Sequence, residues 1–408
     1  MQTAPVKTAL SQPSIEIQML LWCCRTKIEL ETLNQIQALL SKNINWAKLI
    51  EIAQKQRVLP LLYYSLSRHF SEVVPKTILS KLRLDFLSQT RRSLLLSGEL
   101  VRLINLFASE KISVIPFKGP VLSASVYGNL SLRQFSDLDI LVHPQDVEKA
   151  KNLFLSQGYN MKIERIEVTE EQKAKFVASQ SIYKLVRETA YPFVHPETEL
   201  VVELHWGVMP NYFAFPIDSE LLWQDLESVT IADHSVPNLS PENTLLMLAG
   251  HGTKDCWENL ARICDIAELI RSHPQLNWNK LIDIARIKGG LRLLFLALTL
   301  AQNILGTTLP EEVCQQIQAD SKVSLLEVEV RQNLFQKTEQ SYQDGSVTRF
   351  HLNVRERLQD KIVYFWRLLT IPTTSDWLVL PLSEFPVFIY YLLRPIRLLG
   401  EQILRKVN

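Results

Sequence analysis

Cysteine is scarce in this sequence, and the few cysteines form no recognisable pattern. The 408-residue chain has five of them, an odd number, and no pair is separated by only two residues. Disulfide frameworks use even sets, and structural zinc sites usually contain Cys-x-x-Cys pairs, so both are disfavoured. We expect reduced cysteines that fill the core, namely Cys23, Cys24, Cys256, Cys264 and Cys314.

An excess of charge is also missing. The sequence has 44 basic and 43 acidic residues, which leaves a formal net charge of +1. A balance of this kind produces no overall field that would attract nucleic acid or a membrane, although a local basic groove remains open. Nucleic acid is therefore not indicated as a partner, and a nucleic-acid polymerase is disfavoured, while transfer to an RNA end is left open.

Long apolar runs are absent as well. The N-terminus lacks a basic segment followed by an apolar one, so we expect no secretory signal. The longest late apolar run, residues 385–393, contains Pro386, ends before Arg394 and is too short to cross a bilayer. With 47% hydrophobic and 21% charged residues, the composition is that of a globular protein of two or three domains. We expect a cytoplasmic protein without a transmembrane segment.

Common motifs of other enzyme classes are missing too. The sequence contains no P-loop, no Gly-x-Gly-x-x-Gly, no His-Glu-x-x-His and no Gly-x-Ser-x-Gly. Internal repeats and low-complexity tracts are likewise not seen.

The most informative stretch is residues 112–142. Residues 112–117 predict a buried strand, and residues 120–127 predict a helix with Pro120 in its first turn. The turn between them is Lys118-Gly119, which would present backbone N–H groups and the positive end of a helix to a polyphosphate. Residues 137–142 predict a second strand, DLDILV.

Acidic side chains on two predicted strands suggest a metal site. With a side-chain period of two, Asp137 and Asp139 point to the same face, where they repel each other unless a cation lies between them. Hard oxygen ligands suit Mg²⁺ bound together with substrate phosphates. On a later strand, residues 199–206, Glu203 and His205 share a face, so Glu203 can join the aspartates if the two strands are neighbours. His205 is either a positioning or acceptor-contacting residue or a satisfied core histidine.

This order of elements resembles the polymerase-β-like nucleotidyltransferase superfamily, in which a small-residue turn, a helix and Asp-x-Asp on a strand are followed by a third carboxylate. It resembles more closely a bacterial nucleotidyltransferase family with Lys-Gly in place of the usual Gly-Ser. The residues that carry the resemblance are Lys118, Gly119, Tyr127, Arg133, Asp137, Asp139 and Glu203-Leu204-His205-Trp206. His251, Trp257 and Asp265-Ile266-Ala267 match further elements of that family.

The resemblance implies an α+β fold: a polymerase-β-like mixed sheet with helices, flanked by helical regions at both ends. The expected divisions are an N-terminal helical region (1–108), a catalytic core (109–238), a helical domain over the nucleotide cleft (239–308) and a C-terminal helical extension (309–408).

The implied activity is transfer of a nucleoside monophosphate from a nucleoside triphosphate to an acceptor hydroxyl, with release of pyrophosphate and dependence on Mg²⁺ (or Mn²⁺). The implied catalytic and metal-binding residues are Asp137, Asp139 and Glu203. The implied nucleotide-binding residues are Lys118, Gly119, Arg133, Ser136, His205 and His251, with Lys118 expected at the terminal phosphates. The acceptor stays open among a small molecule, a peptide or protein hydroxyl and an RNA end.

Other interpretations compete with this one. Asp137 and Asp139 could be solvated residues at a strand edge, because Asp-x-Asp alone is a weak signal. The chain could also be a nucleotide sensor or a toxin–antitoxin component that retains the fold without efficient transfer.

The flanks are expected to be helical. Residues 82–107 form the strongest predicted helix, whose Arg91 and Arg92 either face solvent or contact the acceptor or a phosphate. Asn45, Ser240 and Asn277 are expected to begin helices. We also predict a hairpin from residues 182–186 and 192–195. The basic amphipathic end, residues 390–406, either binds a membrane surface or docks onto the helical domain.

Two further expectations concern the region after Ser240. Gly250-His251-Gly252 predicts a loop or a break in a helix. Helical periodicity resumes over residues 254–271, where a polar stripe either lines the cleft or faces solvent; it consists of Lys254, Glu258, Arg262 and Asp265.

Overall fold

The computed structural model describes residues 13–162, 189–213, 217, 219–335, 344–373, 389 and 391–398. The predicted strand over residues 182–186 lies outside the described residues. No helix in the described ranges is both long enough and apolar enough to cross a membrane.

Helices form most of the described structure. One helical stretch, residues 391–398, lies near the C-terminal end. In chain order the other α-helices are α1 (Ile15–Cys23), α2 (Leu30–Leu40), α3 (Trp46–Lys55), α4 (Leu59–His69), α5 (Lys76–Ser109), α6 (Gly119–Tyr127), α7 (Val147–Ser156), α8 (Ser219–Gln224), α9 (Pro241–Lys254), α10 (Leu260–Ser272), α11 (Trp278–Ile287), α12 (Leu291–Leu305), α13 (Glu311–Gln318), α14 (Ser321–Phe335), α15 (Asp344–Val354) and α16 (Leu358–Thr370).

The strands form one mixed sheet and one separate hairpin. They are β1 (Val114–Phe117), β2 (Asp137–Val142), β3 (Asn160–Met161), β4 (Ala190–Val194), β5 (Val201–His205), β6 (Leu226–Ile231) and β7 (His234–Leu239). The five-stranded sheet has the order β1-β2-β5-β4-β3, and β6 pairs with β7. Within the sheet β2 and β5 are parallel, while the other pairs are antiparallel. The expected mixed sheet flanked by helical regions is confirmed.

Apolar and acidic side chains alternate along β2, so its two faces differ in character. Leu138, Ile140 and Val142 are buried in the hydrophobic cluster on one side, together with Val202 and Leu204 of β5. The opposite face carries the two aspartates. Side chains that point alternately to the two faces of a strand account for this division. One face of β2 therefore stabilises the fold, and the other is available for chemistry.

A second hydrophobic cluster joins the helices before the sheet to those after it. It includes Leu20 of α1, Leu62 of α4, Leu141 of β2 and Leu296 of α12. Hydrogen bonds also join these regions: the Gln56 side chain donates to the carbonyl of Leu334 at 3.0 Å and accepts from the Leu260 N–H at 2.7 Å. The helical regions on either side of the sheet thus share one core, and the four expected divisions stay a prediction.

Three polar residues were expected to precede the first turn of a helix, and all three positions are confirmed. The side chain of Asn45 accepts a hydrogen bond from the Lys48 N–H, Ser240 accepts from Asn243, and Asn277 accepts from Lys280. Each cap satisfies an N–H group that has no partner within its helix.

The expected break at Gly250-His251-Gly252 is wrong, because α9 continues through it to Lys254. Gly252 serves packing instead, because a Cβ there would lie 2.5 Å from Cζ3 of the buried Trp257. The chain turns at residues 255–259, and α10 begins only at Leu260. The predicted polar stripe is therefore divided between two helices and the turn that joins them.

Candidate metal and nucleotide site

The parallel pairing of β2 with β5 places acidic residues from distant parts of the sequence side by side. Asp139 lies opposite Glu203 in the register of the two strands, and Phe117 of β1 lies opposite Asp139 on its other side. Asp137 shares the face of Asp139 because it lies two residues earlier on the same strand. Asp139 is buried, whereas the Glu203 side chain is 36% exposed.

His205 bridges the two carboxylates. Its Nε2 lies 3.1 Å from Oδ1 of Asp139 and 3.2 Å from Oε2 of Glu203. The Phe117 ring contacts the imidazole edge to face, with 4.9 Å between the ring centres. Burial by itself lowers the pKa of His205, but the bonds to Asp139 and Glu203 outweigh it and raise the pKa above its ordinary value. Two carboxylate oxygens thus converge on one position that favours positive charge.

The two aspartates of β2 differ in their protonation behaviour. Burial and the negative charges of Asp139 and Glu203 together raise the pKa of Asp137 to about 6, against the opposing effect of Lys118 and Arg133. Burial by itself would also raise the pKa of Asp139, but Lys118 and the hydrogen bond from His205 hold that pKa well below its ordinary value. A pair of neighbouring acids with divergent pKa values is typical of functional sites.

The Lys118-Gly119 turn brings a cation and a helix end to the acids. Lys118 Nζ lies 3.5 Å from Oδ1 of Asp139. Lys118 has φ +58° and ψ −143°, a region that essentially only glycine adopts freely, and Gly119 has φ +41°. A Cβ on Gly119 would also lie 3.4 Å from the Asp137 carbonyl oxygen. The turn thus combines an unusual backbone conformation with a contact between its ammonium group and Asp139.

The N-terminus of α6 lies next to Lys118. Within the part of the chain that the structure describes, no side chain caps this helix end, and Pro120 occupies its first turn. First-turn N–H groups have no partner within a helix and carry the positive end of its dipole. These donors begin at Gly119, next to the Lys118 ammonium group.

Arg133 lies in the loop between α6 and β2 and is bound to α10. Its Nε donates to Oδ1 of Asp265 at 2.8 Å and its Nη2 to Oδ2 at 3.0 Å. The Tyr127 hydroxyl donates to the same Oδ1 at 2.7 Å. Burial by itself lowers the pKa of Arg133, but the adjoining Asp265 charge more than compensates. The guanidinium is a fixed positive charge at this site.

The remaining predicted nucleotide-binding residues lie at the margin of the cluster. Ser136 is exposed just before β2, and its carbonyl accepts a hydrogen bond from Arg92 Nη2 at 3.0 Å. His251 is buried on α9, and its Nε2 has no hydrogen-bond partner among the described residues. Burial lowers the pKa of His251 well below its ordinary value, and the charges of Lys118 and other nearby basic residues add to this effect. His251 is therefore neutral at pH 7.

Three of these side chains could hold a metal ion. One ligand atom each from Asp139, Glu203 and His205 lies within 4.8 Å of the other two. Two carboxylates with one imidazole suit a divalent cation of the first transition row, and carboxylates with water suit Mg²⁺. The three ligand atoms lie close enough together for one cation to contact all of them, so the donor set fits a metal ion. Asp137 is not part of this group of three, although it interacts electrostatically with Asp139 and Glu203.

The structure thus brings Asp139, Glu203, His205 and Lys118 into direct contact, with Asp137 on the same face. Arg133 and His251 approach from the side of the helices, and Ser136 lies at the exposed edge. Sequence reasoning did not identify Phe117 as a neighbour of His205, because only strand pairing brings them together. For Asp265 the sequence left two roles open, lining the cleft or facing solvent. Its contact with Arg133 became visible only in the tertiary structure.

Two comparisons with known proteins bear on this arrangement. A search of curated proteins finds no match. A family model described as "Uncharacterised nucleotidyltransferase" matches residues 42–306, which is more than half of the chain. The match contains the whole mixed sheet together with α9 and α10. The chain accordingly belongs to this family of nucleotidyltransferases.

Proposed function

We propose that this chain is a polymerase-β-like enzyme that transfers a nucleoside monophosphate from a nucleoside triphosphate to an acceptor hydroxyl and releases pyrophosphate. The observation that carries the proposal is the convergence of Asp139, Glu203 and His205 beside Lys118 and the N-terminus of α6. Acids that bind a cation and donors that bind a polyphosphate are the two parts which this reaction needs.

The acidic cluster is the expected metal site, with Mg²⁺ or Mn²⁺ as the cation. Asp137, Asp139 and Glu203 are the proposed ligands, and the position of His205 makes it a further candidate. A bound divalent cation would neutralise the charge of the phosphates and of the developing leaving group. The raised pKa of Asp137 supports this assignment, because a carboxylate that resists ionisation in the folded chain gains most from a cation.

The phosphates are expected to lie against the Lys118-Gly119 turn. Backbone N–H groups at the start of α6 would bind phosphate oxygens, and the Lys118 ammonium would contact the terminal phosphates. Arg133 adds a second positive charge from the loop that leads into β2. The strained Lys118 backbone supports a functional role, since strain of this kind concentrates at ligand sites.

The acceptor is expected to approach on the side of Glu203, whose side chain is far more exposed than that of Asp139. Glu203 would take the proton of the acceptor hydroxyl while the oxygen of that hydroxyl forms a bond to the α-phosphorus. The bond from that phosphorus to the leaving pyrophosphate oxygen breaks in the same step. Holding the hydroxyl in line supplies much of the rate acceleration in such transfers.

Calorimetry followed by a turnover assay tests the proposal. The full chain is titrated with ATP, GTP, CTP and UTP, with and without Mg²⁺ or Mn²⁺. The triphosphate that binds is then supplied in labelled form with cell extract, and mass spectrometry is used to find an acceptor that has become one nucleotide heavier. Cation-dependent binding and such an adduct are the expected results.

Two results would contradict it. If Asp137→Asn and Asp139→Asn left nucleotide transfer unchanged, the acidic cluster would have no catalytic role. Binding without any release of pyrophosphate would instead support a nucleotide sensor.

A further inference from the structure

Asp265 is a buried carboxylate that binds Tyr127 and Arg133, two residues of the segment between Lys118 and Asp137. Only 4% of the residue is exposed. It accepts hydrogen bonds from the Tyr127 hydroxyl and from both Nε and Nη2 of Arg133. Two parallel bonds between a guanidinium and a carboxylate fix the orientation of the arginine as well as its position.

The three residues come from three separate parts of the chain. Tyr127 ends α6, the helix that begins at Gly119. Arg133 lies in the loop that leads to Asp137, and Asp265 lies on α10, which packs against α6. The hydrogen bonds thus connect two points within the Lys118–Asp137 segment, Tyr127 and Arg133, to one helix outside the sheet.

Arg133 keeps donors that Asp265 does not use. Among the described residues it bonds only to Asp265, which leaves both hydrogens of Nη1 and one of Nη2. Its side chain is 14% exposed. Its charge acts on both Asp137 and Asp139, so the guanidinium lies within electrostatic reach of the acidic cluster.

We propose that Asp265 is a positioning residue that orients Arg133 so that its remaining N–H groups meet the phosphates of the nucleotide. The inference rests on the proposed function, because it requires a polyphosphate beside the Lys118-Gly119 turn. Beyond the proposed function, the inference states that α10, a helix outside the sheet, controls phosphate binding through Asp265. The competing interpretation is purely structural: the same contacts would attach α10 to α6, and Arg133 would not touch a ligand.

Calorimetry with tripolyphosphate in the presence of Mn²⁺ separates these interpretations without knowledge of the base or the acceptor. The full chain is compared with Asp265→Asn, which is nearly isosteric but uncharged. It is also compared with Arg133→Lys, which keeps the charge but cannot form the paired bonds. We expect each variant to bind tripolyphosphate roughly 10-fold more weakly, the usual effect of removing a residue that orients a ligand-binding group. With the triphosphate substrate, KM should rise by a similar factor and kcat should change less.

A double variant tests whether Asp265 acts through Arg133. Asp265→Asn combined with Arg133→Lys should bind no more weakly than either single variant, since both disturb the same interaction. Tyr127→Phe removes one bond to Asp265 and leaves the pair with Arg133 intact, so its affinity should stay close to that of the wild type. Circular dichroism and a melting curve establish that each variant is folded; if Asp265→Asn fails this test, Arg133→Lys decides.

The outcomes distinguish this inference from the proposed function. If the wild type binds tripolyphosphate and Arg133→Lys binds it equally well, the positioning role is wrong while the proposed function stands. A lowered melting temperature of Asp265→Asn with unchanged affinity would likewise overturn it in favour of a structural role. If the wild type does not bind tripolyphosphate, the phosphate site itself is wrong, and the inference fails with it.

Discussion

Asp139 and Glu203 lie directly opposite each other on neighbouring parallel strands. Register alone fixes this relationship, because a shift of one residue on either strand would turn one carboxylate to the opposite face. The apolar residues that alternate with them are buried on the far side of the sheet. The packing of that buried face therefore holds the acidic pair together.

Loss of either acid should abolish transfer. Asp139→Asn and Glu203→Gln each remove one negative charge from the proposed cation site. We expect a loss of at least ~1000-fold in kcat/KM, equivalent to the several kcal/mol that a catalytic cation supplies. Pyrophosphate release with the bound triphosphate measures this loss.

Glu227→Gln is the matched control for that experiment. Glu227 is exposed on β6, outside the sheet that carries the site. Its variant should retain full activity and the same melting temperature. Activity within a few fold of the wild type in Asp139→Asn would refute the role assigned to this pair.

Asp137 should reduce the stability of the metal-free chain at neutral pH. Its pKa of about 6 in the folded state lies above the ordinary 3.8, so between these values the folded chain holds a proton that the unfolded chain releases. The stability gained from that proton is complete below pH 3.8 and is lost as the pH rises through 6. Asp137→Asn should therefore raise the free energy of unfolding by roughly 1–2 kcal/mol at pH 7.5, with little effect at pH 4.

Urea denaturation in the presence of a chelator, at both pH values, measures this difference. The same variant should be inactive, so stability and activity should change in opposite directions. An equal effect of Asp137→Asn at the two pH values would show that its charge is not the cause.

Two substitutions at Lys118 separate the ammonium group from the backbone strain. Lys118→Gly removes both, whereas Lys118→Ala removes the ammonium and keeps a side chain at φ +58°. Both should raise KM for the triphosphate by roughly 10- to 100-fold, as expected for a lost charge-assisted hydrogen bond. Lys118→Gly should be more stable than Lys118→Ala by roughly 1–2 kcal/mol, the strain of such a backbone conformation.

Steady-state kinetics and urea denaturation of the two variants test this prediction. Equal stability of the pair would mean that the turn is not strained. An unchanged KM in both would remove Lys118 from the phosphate site.

A pair of glycine substitutions tests the packing of α9. Gly252→Ala places a Cβ within 3 Å of the buried Trp257 ring, so we expect a loss of roughly 1–3 kcal/mol in the free energy of unfolding. Gly98→Ala is the matched control, because no heavy atom lies within 4 Å of its added Cβ and it is in the interior of α5. Alanine there should increase stability by roughly 0.5–1 kcal/mol. Denaturation curves that move in the same direction for both would contradict this account.

Local patterns were sufficient to predict much of the fold. The alternation over residues 137–142 predicted β2 with its observed ends, and Asn45, Ser240 and Asn277 predicted helix starts through their capping side chains. These features depend on neighbours within a few residues. Adjacency of β2 and β5 was only a condition for Glu203 to join the aspartates, and their parallel direction was not predicted, since no local signal fixes which strands become neighbours.

Features that depend on distant contacts were not predicted. The glycines around His251 suggested a break because an isolated helix tolerates glycine poorly, but Trp257 requires the space that Gly252 leaves. The hairpin of β6 and β7 was missed because its strands, which are exposed over part of their length, have little regular apolar alternation. The contacts of His205 with Asp139 and Glu203 could not be predicted either, because they depend on the register of the strands.

The core shared by the helices before and after the sheet has a practical consequence for anyone who works with this protein. A fragment limited to residues 109–238 would lose the partners of Leu141 and Phe117 on the reactive side and expose that surface to water. Such a fragment should aggregate rather than report weak activity. Truncation is therefore an unsuitable way to locate the chemistry, and point substitutions in the intact chain are the appropriate tool.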